Sequence, residues 1–189
     1  RILEGENKAL REQLNFVPGP KVSYLTARVI ADSGGAFAHS LLVNIGSQNG
    51  VTKGQAVVTG GGLVGRVAGF GSRATRVLLI TDLNSRIPVL VESTRTRAIL
   101  AGNNTDRPRL IHLPPGVTVS PGDRIVTSGH GGVFPAGLPV GVIDSVSESG
   151  ISMQPFVRRD RIEYVRLIDF GLKGVIPLPG KINTTAPAK

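Results

Sequence analysis

Residues 41–67 read LLVNIGSQNGVTKGQAVVTGGGLVGRV, and the same pattern returns in residues 110–143, LIHLPPGVTVSPGDRIVTSGHGGVFPAGLPVGVI. In each stretch an apolar run leads to Gly-Val-Thr, then to a second glycine and a run ending in Val-Thr, and then to an apolar segment around Val-Gly. Runs of about four to seven residues between glycine turns are typical of β-strands. The repetition predicts a duplicated β unit, with a turn of eleven residues (128–138) in the second copy where the first has three (60–62).

The composition agrees with a chain built from short strands. It includes 25 glycines and 13 prolines, with 40% hydrophobic and only 4% aromatic residues, so Val, Ile, Leu and Ala must fill the core. We therefore predict an all-β fold of two small six-stranded β-barrels packed together. Barrels of about 75 residues bury little surface alone, which favours a shared interface between them.

The chain divides into five predicted segments. The first barrel unit is expected at residues 22–92 and the second at 93–170, with exchange of a strand between them left open. A hinge is expected at 18–21, where a Pro-Gly-Pro sequence ends the preceding helix. Residues 171–189 have no apolar period and are expected to form a flexible tail.

Residues 1–17 are predicted to be the end of a coiled-coil helix. Leu3, Asn7, Leu10 and Leu14 follow one another at intervals of four, three and four residues, the spacing of heptad core positions. An Asn at a core position favours a defined register and a parallel dimer. A short amphipathic helix docked on the body is the alternative, since two heptads are marginal alone.

The charge and the amino-acid types present exclude several classes of site. The chain has no Cys, which rules out disulfides, thiolate zinc sites and a Cys nucleophile. Its net charge is +9, but the arginines are not interleaved with aromatic residues, so nucleic-acid binding is not expected. No apolar run approaches the ~20 residues that span a bilayer. The arginines are densest in two groups: Arg95, Arg97, Arg107 and Arg109, then Arg158, Arg159, Arg161 and Arg166.

Three motifs that suggest chemistry have simpler structural interpretations, so we expect no enzyme activity, metal or cofactor. The Asp-Ser-Gly-Gly at 32–35 resembles the nucleophile region of chymotrypsin-like proteases, but Ser33 precedes every His, contrary to the order of that triad. The glycines of 60–65 match a dinucleotide-binding spacing without the helix that such a site needs, which favours a hairpin. The histidines are too far apart for metal-ligand spacing: His39, His112 and His130.

The extended loop of the second copy is a candidate partner contact. It places His130, Val133 and Phe134 after several glycines. Its apolar side chains either cover the barrel as a lid or are offered to a partner.

Several ordered motifs resemble the rod shape-determining protein family MreC. They include GLVGRV at 62–67, LITD at 79–82, GDRIVTSG at 122–129 and GVFPAGLPVG at 132–141, and the helix with Leu3 and Asn7 resembles the end of that family's coiled coil. The motif positions for which we expect structural roles are Gly65, Arg66, Thr81, Asp82, Gly129, Gly132, Pro135 and Gly141.

The resemblance implies a single-pass inner-membrane protein whose double barrel lies in the periplasm. It also implies a non-catalytic scaffold of the elongation machinery that self-associates as a dimer or filament. The partners implied are a class B penicillin-binding transpeptidase, RodA, MreD and MreB. Two other functions stay open from the residues: a degenerate chymotrypsin-like hydrolase, and a module that binds peptidoglycan or an anionic surface.

Overall fold

The computed structural model describes residue 3 and residues 23–33, 38–132 and 134–169. The chain divides into two compact units, one of residues 24–169 and one of residues 1–23 with 170–189. Apart from the first residue of β1, the strands below belong to the former. They are β1 (Ser23–Ser33), β2 (Ser40–Val43), β3 (Ala56–Thr59), β4 (Gly62–Phe70), β5 (Thr75–Leu79), β6 (Arg86–Val91), β7 (Thr96–Ala101), β8 (Arg109–Ile111), β9 (Arg124–Thr127), β10 (Pro139–Ser147), β11 (Gly150–Pro155) and β12 (Tyr164–Asp169).

The strands close into two six-stranded barrels, which confirms the predicted fold class. The first barrel has the order β1-β12-β3-β4-β5-β2 and the second has the order β10-β11-β8-β7-β6-β9. Closing each sheet on itself leaves no unpaired strand edge. The two barrels touch where β4 begins beside the start of β10: a Cβ on Gly62 would lie 2.6 Å from the Pro139 carbonyl oxygen.

The second barrel is inserted into the first, which replaces our division at residues 92 and 93. Strand β6 lies before that division but pairs with β7 and β9 of the second barrel. Strand β12 lies at the far end of the chain but pairs with β3 and neighbours β1 in the first barrel. The last strand of the body completes the first sheet, so strands are exchanged between the two predicted units, a possibility that the sequence left open.

The two barrels are circular permutations of one another. Matching β2, β3, β4 and β5 of the first barrel with β8, β9, β10 and β11 of the second reproduces the same order around both sheets. In this match β1 corresponds to β7, and β12 corresponds to β6. The sequence repeat therefore identifies three of the six strand pairs: β2 with β8, β3 with β9 and β4 with β10. Asp82 and Asp169 both follow an apolar run, but their positions do not match. Asp82 follows β5, which corresponds to β11, whereas Asp169 ends β12.

Aliphatic side chains fill both barrels, as the composition predicts. Val43, Val57, Val67 and Val77 are fully buried in the first barrel. The second barrel buries Ile87, Val89, Val91, Leu100, Ile125, Val140, Ile143 and Met153. Each such side chain contributes about 1.5–3 kcal/mol relative to an exposed one.

The predicted coiled coil lies almost wholly outside the described residues. Leu3 is helical, with 79% of its surface exposed. Asn7, Leu10 and Leu14, the hinge at 18–21 and the tail at 171–189 are not among the described residues. The coiled coil therefore stays a prediction.

Gly65 and Gly141 occupy matching sites in β4 and β10, where two strands approach too closely for a side chain. A Cβ on Gly65 would overlap the carbonyl oxygen of Leu78, and one on Gly141 would overlap that of Gln154. These contacts come from β5 and β11, which correspond in the two barrels. The shared Val-Gly of the repeat is thus a packing requirement of the barrel wall.

We predict that Gly65→Ala and Gly141→Ala each lower the free energy of unfolding by about 2 kcal/mol or more, because a backbone strand must move to admit the methyl group. Gly69→Ala on the same strand is the matched control, since no described residue other than its two chain neighbours lies within 4 Å of the place that its methyl group would take. The control should be neutral or slightly stabilising. Urea unfolding of the purified variants measures this, and equal midpoints for the Gly65 and Gly69 variants would contradict it.

Candidate functional site

The link between β5 and β6 is held by a buried polar cluster. One Asp82 carboxylate oxygen accepts the backbone N–H of His39 at 2.9 Å, and the other accepts that of Asn84 at 2.8 Å. The His39 ring Nδ1 and the Thr81 hydroxyl are 2.8 Å apart and hydrogen-bonded. All three clustered side chains, of His39, Thr81 and Asp82, are buried. Thr81 and Asp82 thus hold the link in place through the hydrogen bonds of their side chains.

The same link is hydrogen-bonded to the second barrel. The Thr81 carbonyl accepts the N–H of Asn104 at 2.9 Å, and the Asn104 side-chain oxygen accepts the N–H of Leu83 at 2.8 Å. The Ser85 carbonyl accepts the N–H of Gly102 at 3.1 Å. A Cβ on Gly102 would overlap the Asp82 carbonyl oxygen. Residues 80–85 therefore attach the entrance of β2 to the end of β7, and so one barrel to the other.

The pKa of His39 is lowered by its surroundings. Burial, which disfavours the charged ring, is the main cause, and the positive charge of Arg159 adds to it. The carboxylates of Asp106, Asp82 and Asp32 act in the opposite direction without reversing the shift. The ring therefore stays neutral in the folded protein at a pH where an exposed His is protonated.

We predict that the folded protein loses stability as the pH falls below about 6.5, the ordinary pKa of His. Above that pH, His39 is neutral in both states. Below it, the unfolded chain binds a proton that the folded one does not, so unfolding is favoured. Between pH 7.5 and 5.0, wild type should lose more unfolding free energy than His39→Asn, whose amide can still reach Thr81.

Urea unfolding at the two pH values measures this difference. His130→Asn, on an exposed loop, is the matched control and should keep the wild-type pH dependence. An unchanged pH dependence in His39→Asn would show that His39 does not contribute to it.

A cleft of about 530 Å³ lies between the barrels. One part of the cleft is lined by the first barrel, through Leu63 and Val64, and by the link, through Ile80. The β7–β8 loop contributes Asp106 and Arg107. The rest is lined by the end of β11 and by the segment that leads the chain back to β12. We call residues 156–163 the return segment.

A second recess of about 450 Å³, which we call the return groove, also borders the return segment. Its lining includes two aromatic side chains, Phe156 and Tyr164, and three charged ones, Arg158, Arg161 and Glu163. The cleft and the return groove share the lining residues Val157, Arg158 and Ile162. Since Val157 and Ile162 also pack against the first barrel's core, the return segment is a fixed wall with a recess at either side.

The guanidinium groups of the return segment differ in their partners. Arg158 binds the Asp160 carboxylate through two hydrogen bonds of 3.2 and 3.0 Å. Arg159 lies 3.9 Å from Asp32, and its Nη1 is buried without a hydrogen-bond partner in the described part of the chain. Among the described residues, no carboxylate lies within 4.0 Å of Arg161. Arg161 is thus an exposed cation of this segment that pairs with no carboxylate among the described residues.

The candidate loop of the second barrel is organised differently from our expectation. Phe134 is only 4% exposed, so its ring belongs to the core and is not offered to a partner, which corrects its assignment as a contact residue. His130 is exposed, and Val133 lies outside the described residues. The loop folds inward because Gly129 and Gly132 adopt positive φ angles and because the buried Thr127 hydroxyl bonds the Pro135 carbonyl and the Leu138 N–H.

Of the remaining motif positions, Arg66 lies on β4 opposite Ala56 and Leu78, where it is part of the barrel wall. The glycines at 60–65 form the β3–β4 hairpin, in which Thr59 pairs with Gly62. This confirms the hairpin interpretation over a nucleotide site.

The protease-like Ser33 is engaged in strand pairing. It ends β1, and its hydroxyl lies 2.7 Å from that of Ser40. The nearest His in the chain, His39, bonds Thr81 instead. Across residues 23–33, 38–132 and 134–169 there is no group of three or more His, Asp or Glu side chains able to hold a metal ion.

The sequence reasoning missed the return segment. Its signal is the basic group at 158–166 next to two aromatic residues, a pattern that by itself equally fits a solvated strand face.

In the part of the chain that is described, no helix has the length and apolarity needed to cross a membrane.

The chain is similar to known proteins along most of its length. Residues 29–169 match the family described as Rod shape-determining protein MreC, barrel core. The chain is 40% identical over 186 residues to the cell shape-determining protein MreC of Cereibacter sphaeroides, covering 98% of this chain and 62% of that protein. It is 39% identical over 168 residues to the protein of that name from Caulobacter vibrioides, covering 89% of this chain and 49% of that one.

Solved structures of MreC proteins have the same fold. MreC from Listeria monocytogenes aligns with a TM-score of 0.75 at 28% identity, over 88% of this chain and 85% of that one. MreC from Pseudomonas aeruginosa aligns with a TM-score of 0.71 at 31% identity, over 77% and 98%. A complex between a penicillin-binding protein and MreC from Helicobacter pylori aligns with a TM-score of 0.60 at 15% identity, which shows the fold alone.

Proposed function

The chain belongs to the MreC family of rod shape-determining proteins, and from this we propose that it is a non-catalytic scaffold of the machinery that elongates the cell wall. It organises peptidoglycan synthases at the extracytoplasmic side of the inner membrane, through self-association and partner binding. The chain spans 62% and 49% of the two curated relatives compared above. The anchoring of the whole protein and its partners are therefore part of the proposal.

The observation that supports this function best is that the family match falls on the two-barrel body itself, residues 29–169. The body is a rigid object whose polar cluster at Asp82 and His39 serves to join the barrels. Its recesses at the return segment are open to solvent and lined by side chains suited to binding. A body of this kind acts by position and affinity rather than by chemistry.

A penicillin-binding transpeptidase is the partner that we propose first. The relative from Helicobacter pylori was solved as a complex with a penicillin-binding protein, and the family membership of this chain supports a partner of the same class. RodA, MreD and MreB complete the proposed assembly on the strength of the family resemblance alone.

Self-association completes the proposal. Two solved structures at 24% and 22% identity are described as the major periplasmic domain of the cell shape-determining filament MreC. In this chain the heptad of Leu3, Asn7, Leu10 and Leu14 supplies a dimer contact. A dimer that holds two partners raises the effective concentration of each for the other.

We predict that the purified chain binds the extracytoplasmic part of its own organism's class B transpeptidase with micromolar or tighter affinity. Immobilised transpeptidase should retain wild type at least about tenfold more tightly than the double variant Leu10→Glu, Leu14→Glu, which loses avidity when the dimer separates. Lys8→Glu is the control, since it also adds negative charge but lies outside the heptad core. Surface plasmon resonance measures both.

Absence of binding at high protein concentration, with the chain folded, would remove the transpeptidase from the proposal. Equal retention of the Leu10, Leu14 double variant would remove the role of the dimer. Salt-sensitive pelleting with isolated sacculi, in place of transpeptidase binding, would instead support a module that binds the polymer.

A further inference from the structure

The return groove combines exposed aromatic rings with a fixed backbone. Tyr164 is 58% exposed and Phe156 is 38% exposed, although aromatic residues make up only 4% of the chain. Exposed aromatic side chains that line a recess are characteristic of protein interfaces, where they provide large contact areas.

The Phe156 ring is positioned before any partner arrives. The Arg124 guanidinium lies 5.3 Å from the centre of the Phe156 ring, and the Phe156 N–H donates to the Val140 carbonyl at 3.0 Å. Side chains fixed by such cation–π contacts lose little conformational entropy when a partner binds.

The charge around the groove favours an acidic partner. Arg158 is neutralised by Asp160, and Arg124 is paired with Glu92 at 3.4 Å. Among the described residues, neither Arg161 nor Arg166 has a carboxylate within 4.0 Å. A carboxylate placed in the groove would therefore find a guanidinium able to bind it through two hydrogen bonds.

The shape and the charges together favour a protein segment over a lipid surface or a continuous anionic polymer. The aromatic rings and Glu163 line the same recess. Glu163 would repel a polymer with a negative charge at every repeat, whereas a peptide can place an apolar residue beside it. A recess of about 450 Å³ has room for a few residues of an extended chain.

We infer that the return groove binds an extended acidic segment of a protein partner, with an apolar side chain against the aromatic lining and a carboxylate on Arg161. This inference deepens the proposed function, on which it rests for the partner being a protein. It does not require that the partner be the transpeptidase.

The test is photo-cross-linking of the full-length protein in its own cells, with p-benzoylphenylalanine in place of Tyr164. Mass spectrometry of the cross-linked peptide identifies the occupant. We expect a protein segment in which at least three of nine consecutive residues are Asp or Glu. A second position, Val146, is 45% exposed on the other barrel and should not capture that segment.

Charge reversal makes the test independent of cross-linking efficiency. Arg161→Glu should lower the cross-linking yield from position 164 at least tenfold. Arg76→Glu makes an equal charge change at an exposed position of β5 and should leave that yield unchanged. Both sites are exposed, and thermal unfolding of the purified variants confirms that they are folded.

The outcomes separate this inference from the proposed function. Capture of an acidic segment from a protein other than the transpeptidase would support the groove, and the transpeptidase would then stand or fall on its own binding experiment. Transpeptidase binding without a cross-link at position 164 would do the reverse. A cross-link to lipid or sacculus only, to a segment without acidic residues, or with equal loss in the Arg161 and Arg76 variants would overturn the inference.

Discussion

The buried carboxylate of Asp82 is the interaction on which the two-barrel body depends. It accepts one hydrogen bond from the entrance of β2 and one from the link that follows β5, and it is 2% exposed. A buried charge without such partners would cost several kcal/mol, so the link has one favoured conformation. That link is also hydrogen-bonded to Asn104 and Gly102. The hydrogen bonds that the Asp82 carboxylate accepts therefore set the position of the second barrel relative to the first.

Insertion of the second barrel has a structural consequence at its other end. The chain leaves the first barrel through residues 80–85 and must come back to place β12 between β1 and β3. The return segment makes this passage across the surface, buried through Val157 and Ile162 and exposed through its arginines. The two recesses beside it are therefore products of the topology, and a surface with two fixed attachments at its ends is well suited to binding without rearrangement.

Sequence pattern predicted the strand-rich fold and the duplicated barrel because turn glycines and apolar runs recur at matching places. It could not predict which barrel receives β6 or β12, since pairing between distant strands leaves no local pattern. Phe134 was ambiguous for a similar reason: a ring after glycines can fold inward or outward, and only the bonds of Thr127 decide it. The arginines at 158–166 were visible as a basic group, but their grouping with Phe156 and Tyr164 around a recess depends on the return path of the chain.

Hydrogen–deuterium exchange of the chain, alone and saturated with the extracytoplasmic part of its transpeptidase, tests most directly whether the body acts as a scaffold through the return segment. The account predicts slower exchange of the amides at 156–163 and unchanged exchange in the β6–β7 turn at 92–95, which lies at neither recess. Protection confined to other parts of the body, or no protection at saturation, would contradict it.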